Sequence, residues 1–208
     1  MKNAVLFIDG NNLYHNLRNM YLKPGDLSFK KLISFISKHF KCKIKDTYYY
    51  NSLPDIRDGQ SRYYSHLSYM KSLEKEGMKV YLRKLQSHST KEHVKEKHDI
   101  LNTLELCKDC KPIVKSNCSD CIGHIKKKEK GVDVKMAIDM ITGAIKNEYD
   151  IAIIFSGDAD FIPAMELIKE LKKDVFSVSL IIGYAREVRS KFSCLILNKS
   201  ILVKECFK

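Results

Sequence analysis

The sequence contains no tryptophan, and only 4 prolines and 9 glycines occur among its 208 residues. So small a share of turn-forming and flexible residues excludes collagen-like and low-complexity chains. Instead, 11 tyrosines and 9 phenylalanines, within a hydrophobic fraction of 44%, supply the volume of a folded core. The length fits one α/β domain that carries an insertion better than it fits two complete domains.

Long hydrophobic runs are also missing. The longest purely apolar runs have four or five residues, such as 5–8 and 151–155. A membrane-spanning helix needs about 20 such residues. The first residues lead directly into a short apolar run and an acidic turn, without the longer apolar region of a signal peptide. We therefore expect a cytoplasmic protein that does not associate with membranes.

Acidic residues are the minority among the charged ones. The chain has 25 Asp and Glu against 37 Lys and Arg, for a formal net charge of +12. A surface of this sign attracts polyanions, and nucleic acid is the commonest polyanion in the cytoplasm. A lysine-rich composition alone produces the same excess, so the charge indicates nucleic-acid binding only where acidic chemistry lies within the basic surface.

Hydrophobic patterns predict strands that alternate with helices along almost the whole chain. The runs 5–8 and 151–155 predict buried parallel strands, and helical spacing predicts an amphipathic helix from Val134, Ala137, Ile138, Ile141 and Ile145. The alternation indicates a three-layer α/β/α, Rossmann-like fold with a mostly parallel sheet. The polar stretch 87–130 is predicted to be an insertion within one domain that spans residues 1–208.

Acidic residues follow both of these strands at their carboxyl ends. Asp9 follows the first strand, and Asp158 and Asp160 lie in the turn after the second. The carboxyl ends of parallel strands share one edge of the sheet, where open α/β sheets bind ligands. Crowded carboxylates repel one another, and a cation such as Mg²⁺ or Mn²⁺ relieves that repulsion. Such a cation activates water and stabilises phosphoryl charge during phosphodiester cleavage.

Each carboxylate also has a purely structural interpretation. Asp is a common turn and capping residue, so Asp160 alone could cap the following helix. Asp133, at the start of a predicted helix, could serve only to favour the helix dipole. The functional interpretation therefore depends on the set and not on any single member.

Three segments resemble, in order, the motifs of the NYN family, a branch of the PIN-like nuclease superfamily. They are VLFIDGNN at 5–12, KGVDV at 130–134 followed by Asp139, and SGDADF at 156–161. The LabA-like bacterial members are the most similar type. The resemblance covers the chain except for roughly residues 87–129.

The resemblance implies a metal-dependent ribonuclease that hydrolyses RNA phosphodiester bonds with one or two Mg²⁺ or Mn²⁺ ions. The residues that match the acidic positions of the family, and would bind the metal, are Asp9, Asp133, Asp158 and Asp160. Asn12, and less directly Asn11, would position a ligand, a water or a phosphate. Ser156 would form hydrogen bonds within the site.

Asp139 also matches a family position, although its place on the helix separates it from Asp133. Six residues along an ideal helix rotate a side chain by about 240°, so the two carboxylates cannot both point straight at one ion. Asp139 therefore either supports the metal ligands from behind or has a structural role.

The chain has seven cysteines, an odd number that does not suit a disulfide framework in a protein expected to be cytoplasmic. Four of them form two Cys-x-x-Cys pairs, Cys107 with Cys110 and Cys118 with Cys121. This spacing allows four thiolates to bind one structural Zn²⁺, with His124 as an alternative ligand. Redox-active or idle thiols are the other interpretation of the pairs.

The insertion ends in a lysine cluster directly before Asp133. A run of charge is commonly a solvated surface, but the proximity to an acidic residue favours contact with RNA phosphates. The lysines concerned are Lys126, Lys127, Lys128 and Lys130.

Other functions are compatible with parts of the pattern. A catalytically inactive RNA-binding or adaptor module would share the fold, although all four acidic positions are present. A small-molecule phosphatase with an aspartyl nucleophile usually has a second Asp two residues later, where this chain has Asn11. A nucleotide-cofactor oxidoreductase would need a glycine-rich G-x-G-x-x-G loop after the first strand. A monomer and a homodimer both remain open, and protein partners are not predicted.

Overall fold

The structure, a computed structural model, describes residues 1–54, 56, 59–84, 99–100, 102–117 and 131–208. The chain divides into two compact units. Met1–Arg83 and Gly131–Lys208 form the larger unit, and Lys84–Lys130 forms the smaller one. Within the described ranges, no helix combines the length and the hydrophobicity that crossing a bilayer requires.

A six-stranded sheet forms the centre of the larger unit. Its strands are β1 (Asn3–Asp9), β2 (Lys43–Leu53), β3 (Lys79–Lys84), β4 (Ile151–Phe155), β5 (Asp174–Leu180) and β6 (Ser193–Leu197). The strand order is β3-β2-β1-β4-β5-β6. β1 pairs in parallel with β2 and with β4, and parallel pairing continues from β4 through β5 to β6. The first strand therefore lies in the interior of the sheet.

Helices lie between the strands along the chain. They are α1 (Gly10–Asn19), α2 (Phe29–His39), α3 (Gln60–Lys75), α4 (Cys110–Asn117), α5 (Val132–Ile145), α6 (Ile162–Glu170), α7 (Arg186–Lys191) and α8 (Lys199–Ile201). Short 3-10 turns form at Pro24–Asp26 and Ala159–Phe161, and a π-helical turn, Leu202–Cys206, follows α8. Of these elements, α4 belongs to the smaller unit.

Side chains that alternate along β1 enter two separate hydrophobic cores. Ala4, Leu6 and Ile8 enter a core that includes buried residues of α1, α2 and α3, whereas Val5 and Phe7 enter a core with residues of α5 and α6. Because both faces of the strand are buried, its sequence is a continuous apolar run and not an alternating one. The predicted α/β/α arrangement around a mostly parallel sheet is confirmed.

The helix predicted from the apolar residues at 134–145 forms as α5, but of those residues only Ala137 and Ile141 pack against the core, and both are partly buried. Val134, Ile138 and Ile145 are 62%, 53% and 63% exposed. The buried residues of α5 are Val132, Met136, Met140, Gly143 and Ala144. The helix carries two apolar stripes, and the one centred on Met136 and Met140 packs on the sheet, which leaves Val134, Ile138 and Ile145 outside.

The places where the chain leaves and re-enters the larger unit lie side by side. Gly131, which precedes α5, has a positive φ of 80°. A Cβ at this position would lie 2.7 Å from Nη1 of Arg83, near the end of β3. The guanidinium group of Arg83 therefore packs directly against the backbone of Gly131.

Gly10 allows α1 to begin immediately after β1. A Cβ at Gly10 would lie 2.5 Å from Cε1 and Cζ of Tyr49. The Tyr49 ring is buried and makes an edge contact with Phe29 at 5.6 Å between ring centroids. Since the ring is enclosed, it has little room to move away from an added methyl group.

We predict that Gly10→Ala lowers the free energy of unfolding by about 1–3 kcal/mol, the usual cost of overpacking a core. Urea unfolding followed by circular dichroism measures this change. Gly25→Ala is the matched control, because a Cβ at Gly25 meets no atom within 4 Å. Its midpoint should stay the same or rise slightly. Equal midpoints for the two variants would contradict the packing assigned to Gly10.

Candidate functional site

Asp9 lies at the carboxyl end of β1, where it also caps α1. The residue is 7% exposed. Its Oδ1 accepts a hydrogen bond of 2.9 Å from the backbone N–H of Asn12, and its Oδ2 accepts one of 2.9 Å from the hydroxyl of Ser156. The carboxylate therefore joins the end of β1 to α1 and to the residue that follows β4.

The pKa of the Asp9 carboxyl is raised from 3.8 to about 6. Burial is the main cause, because it disfavours the charged form. Repulsion from Asp133 and Asp158 adds to the effect, whereas the hydrogen bonds from Asn12 and Ser156 oppose it. At neutral pH the ionised carboxylate is thus held in surroundings that disfavour its charge, and a nearby cation would offset that cost.

The turn after β4 is built from its own side chains. The Oγ of Ser156 accepts a hydrogen bond of 3.2 Å from the N–H of Asp158, in addition to donating to Asp9. The Oδ1 of Asp158 in turn accepts one of 3.0 Å from the N–H of Asp160 and caps the 3-10 turn that follows. Ser156 is buried, while Asp158 and Asp160 are exposed.

Asn12 has its side-chain carbonyl engaged from two directions. Its Oδ1 accepts hydrogen bonds from the N–H of Gly157 at 3.2 Å and from Nδ2 of Asn16 at 2.9 Å. A backbone N–H can only donate, so the contact with Gly157 fixes which end of the amide is the oxygen. Asn12 therefore has the hydrogens of its Nδ2 left for other partners, which suits a phosphate oxygen or a water.

Two glycines bring the segment after β5 against the turn after β4. A Cβ at Gly157 would lie 1.8 Å from the carbonyl oxygen of Gly183. The N–H of Ala185 donates to the carbonyl of Gly157 at 2.9 Å. Gly183 has a φ of 87°, and a Cβ there would lie 2.7 Å from the amide of Asn16. A larger residue at Gly157 would displace the backbone of Gly183, and one at Gly183 would displace the Asn16 side chain and strain its own backbone.

Asn16 and Gly183 belong to the site, and the sequence analysis missed both. Asn16 is 8% exposed, although asparagine is a polar residue. A signal for Asn16 was present, since it follows Asn12 by four residues and lies on the same face of α1. No such signal exists for Gly183, because its contact with Asn16 joins distant parts of the chain.

Asp133 lies in the first turn of α5 and is exposed. The pKa of its carboxyl is raised by partial burial and by repulsion from Asp158 and Asp160. The structure therefore brings Asp133 into electrostatic range of Asp9, Asp158 and Asp160, and Asp9 into range of Asp158. Within the described ranges, however, no three His, Cys, Asp or Glu side chains are placed so as to hold one metal ion.

Asp139 lies apart from this acidic group and makes different contacts. Its Oδ2 accepts a hydrogen bond of 2.9 Å from the hydroxyl of Tyr50. Its Oδ1 pairs with the ammonium group of Lys135, one helical turn earlier on α5. The hydrogen bond from Tyr50 joins α5 to β2.

Asn11 points towards β2, and its neighbour Asn12 contacts the turn after β4. The Nδ2 of Asn11 lies 3.0 Å from the hydroxyl of Ser52, whose oxygen also lies 3.3 Å from Oδ1 of Asn11. The backbone N–H of Ser52 donates a hydrogen bond of 2.8 Å to Oδ1 of Asn51. Asn51 and Ser52 are buried polar residues at the end of β2 that the sequence analysis did not identify.

Cys107 and Cys110 are exposed, free thiols of the smaller unit. The N–H of Cys110, the first residue of α4, donates to Sγ of Cys107 at 3.2 Å. Hydrogen bonds from the thiol and N–H of Cys110 and from the N–H of Asp109 lower the pKa of Cys107. The other residues predicted in the insertion lie outside the described residues: Cys118, Cys121, His124, Lys126, Lys127, Lys128 and Lys130.

Comparison with known proteins places this geometry in context. The family model for the NYN domain matches residues 3–194. No curated protein matches the sequence. Among solved structures, a protein of unknown function from Vibrio parahaemolyticus is similar, with a TM-score of 0.58 and 15% identity over 95% of this chain and 94% of that chain. At that identity the likeness concerns the fold alone.

The raised pKa of Asp9 predicts that the metal-free protein loses stability as the pH rises. Between pH 3.8 and about 6 the folded protein binds a proton that the unfolded chain has released. The free energy of unfolding therefore falls through this window and levels off above it. The fall due to Asp9 should be about 3 kcal/mol, since one pKa unit corresponds to about 1.4 kcal/mol.

Urea unfolding in a chelating buffer at several pH values from 4 to 7 measures this dependence. Asp9→Asn should remove the Asp9 contribution, because an amide of the same shape does not titrate. Asp174→Asn should keep it, since Asp174 lies at the start of β5 and pairs with Lys2. An identical pH dependence in wild type and Asp9→Asn would show that the assigned pKa is wrong.

Proposed function

Because the chain belongs to the NYN domain family, we propose that it is a metal-dependent ribonuclease that hydrolyses RNA phosphodiester bonds. The NYN domain is part of the PIN-like nuclease superfamily, which suggests ribonuclease activity. The observation that carries the proposal is Asp9, a buried carboxylate at the carboxyl edge of the sheet. Burial, and to a smaller extent the neighbouring carboxylates, raise its pKa to about 6, and strongly shifted pKa values are common at functional sites.

The acidic residues fit a hard divalent cation in their chemistry. Mg²⁺ and Mn²⁺ prefer oxygen ligands, and Asp9, Asp133, Asp158 and Asp160 offer only such atoms. Asp9 is fixed by two hydrogen bonds, whereas the other three side chains are exposed. These three would rotate towards Asp9 to complete the ligand set. When bound, the ion supplies an activated water and stabilises negative charge on the phosphate.

Neighbouring residues prepare the site. Ser156 and the N–H of Asn12 hold both oxygens of Asp9 and favour its ionised form. Asn12 is itself held by Gly157 and Asn16, so its Nδ2 donates to an oxygen of the substrate phosphate. Positioned donors of this kind lower the barrier because they need not reorganise during the reaction. The net charge of +12 attracts the RNA.

One observation favours a second candidate function, a catalytically inactive RNA-binding or adaptor module. Among the described residues, no three metal-binding side chains are placed to hold one ion. If the exposed carboxylates cannot rotate inwards, the same basic surface binds RNA without cleaving it. Measuring cleavage separates the two functions.

We also propose that the smaller unit binds one structural Zn²⁺ through Cys107, Cys110, Cys118 and Cys121. The described pair supports this, since both thiols are exposed and lie within hydrogen-bond distance of each other. The hydrogen bond between them lowers the pKa of Cys107 and raises that of Cys110. A backbone N–H donated to a thiolate sulfur is typical support for a metal ligand. Four thiolates around one zinc leave no open position, so this metal would stabilise the unit and not take part in catalysis.

The first prediction from this function concerns Asp158. Wild-type protein with Mn²⁺ should cleave single-stranded RNA, and Asp158→Asn should be about 100-fold slower or worse, the scale expected when a group that stabilises developing charge is lost. Cleavage of a labelled RNA followed on denaturing gels measures both rates. Asp174→Asn is the control that should retain activity. Asp174 is the first residue of β5, at the edge of the sheet opposite to Asp158, and pairs with Lys2.

Two outcomes would contradict the assignment. Equal cleavage by wild type and Asp158→Asn would remove Asp158 from the site. RNA binding without cleavage by either protein would establish the inactive module in place of the ribonuclease.

A second prediction concerns the metal content of the purified protein. Elemental analysis should find about one zinc per chain in wild type, as one four-thiolate site requires. Cys107→Ser should lose most of this zinc, whereas Cys194→Ser, a change in β6 of the larger unit, should retain it. Equal zinc content in the two variants would exclude Cys107 as a ligand.

A further inference from the structure

A groove of about 490 Å³ lies in the larger unit, between α5 and the β1–β2 part of the sheet. Val5, Phe7, Tyr48 and Tyr149 contribute apolar surface to it. Its charged lining consists of Lys45, Lys79, Lys135, Lys146, Asp46, Asp139 and Glu148. The proposed nuclease chemistry uses none of these charged residues, and the volume is in the range of known ligand sites.

Salt bridges divide the charged lining into paired and unpaired groups. Lys79 pairs with Asp46 at 2.9 Å, and Lys135 pairs with Asp139. Lys45 and Lys146 have no carboxylate within salt-bridge distance among the described residues. Both lysines are exposed. The groove therefore offers two ammonium groups to an anion. The carboxylate of Glu148, which also lines the groove, repels an anion and so lowers the affinity of the groove for it.

The long axis of the groove follows α5. Lys135 and Lys146 are separated by about 16 Å along an ideal helix axis. Asp133, one of the acidic residues of the proposed active site, precedes Lys135 by two residues on the same helix. Two residues of helix turn the Asp133 and Lys135 side chains about 200° apart, so the two share a level on the helix and not a face. Lys146 caps the other end of α5, and Lys45 follows Ile44, the partner of Ala4 near the start of β1. The groove therefore extends from the level of Asp133 towards the amino ends of the strands.

The aromatic residues of the groove do not offer a free ring to a base. Tyr48 stacks on Phe7 with 5.5 Å between the ring centroids, and Nζ of Lys79 lies 4.8 Å from the Tyr48 centroid. Phe7 belongs to β1 and Lys79 to β3, the strands on either side of β2. Both sides of the Tyr48 ring are therefore occupied. The lining favours contact with phosphates and riboses over stacking with bases.

We propose that this groove binds the sugar–phosphate backbone of the RNA strand where the strand leads away from the acidic residues, with Lys45 and Lys146 contacting phosphates remote from the bond that is cleaved. The identity of the ligand rests on the proposed ribonuclease function. Such contacts position a strand without reading its sequence, so the groove confers affinity and not base preference.

The test compares RNA binding by wild type and by the Lys45→Ala/Lys146→Ala double variant. Fluorescence anisotropy with a labelled single-stranded RNA is measured in a chelating buffer, so that cleavage does not interfere, at several salt concentrations. Loss of two phosphate contacts should lower the salt dependence, the slope of log K against log salt, by about 1.4, since each contact contributes about 0.7 for single strands. At about 0.1 M salt this slope corresponds to roughly 25-fold weaker binding.

Lys30→Ala/Lys71→Ala is the matched control. It removes the same charge from exposed positions on α2 and α3, which pack against the other face of the sheet. Its slope and affinity should remain close to those of wild type. Equal slopes for the two double variants would overturn the proposal, because the groove lysines would then contribute only to overall charge.

The failure of this proposal is distinguishable from the failure of the ribonuclease function. If wild type cleaves RNA with Mn²⁺ but the groove variant binds as wild type does, the groove proposal is wrong and the ribonuclease stands. If wild type does not cleave but only the groove variant binds more weakly, the groove stands as part of an RNA-binding module.

Discussion

The hydrogen bond between Ser156 and the buried carboxylate of Asp9 is the contact on which the proposed site depends. It connects the ends of two adjacent parallel strands that are nearly 150 residues apart in the sequence. Asn12 connects the same two segments a second time through Gly157. A buried charge is unfavourable unless hydrogen bonds and neighbouring charges compensate it, so these contacts determine whether Asp9 is ionised.

The close approach of backbone segments makes these contacts possible. Gly10 allows a helix to begin at once after β1, and Gly157 and Gly183 allow two loops to touch where no larger residue fits. The result is a site whose inner wall is rigid. Its outer carboxylates, Asp133, Asp158 and Asp160, are exposed, and Asp158 also caps the turn after β4.

The sequence was informative where one local rule decides the structure. A strand buried on both faces is a continuous apolar run, so β1, β4 and the acidic turns that follow them could be located. Sequence patterns do not predict a contact between two segments that are distant along the chain. The buried face of α5 was predicted only in part because the helix has two apolar stripes, and only the sheet decides which one packs. The partner of Asp139, Tyr50, was equally inaccessible, since it depends on β2 lying beside α5.

The contact between Arg83 and Gly131 bears on how the two units are connected. The chain leaves the larger unit at the first residue and returns at the second, so a linker of a few residues would bridge the gap at little entropic cost. A chain shortened in this way keeps the proposed acidic residues and the groove but lacks both cysteine pairs. Asp9, Ser156 and the other polar residues at the edge of the sheet all belong to the larger unit, so removal of the smaller unit would leave their hydrogen bonds in place.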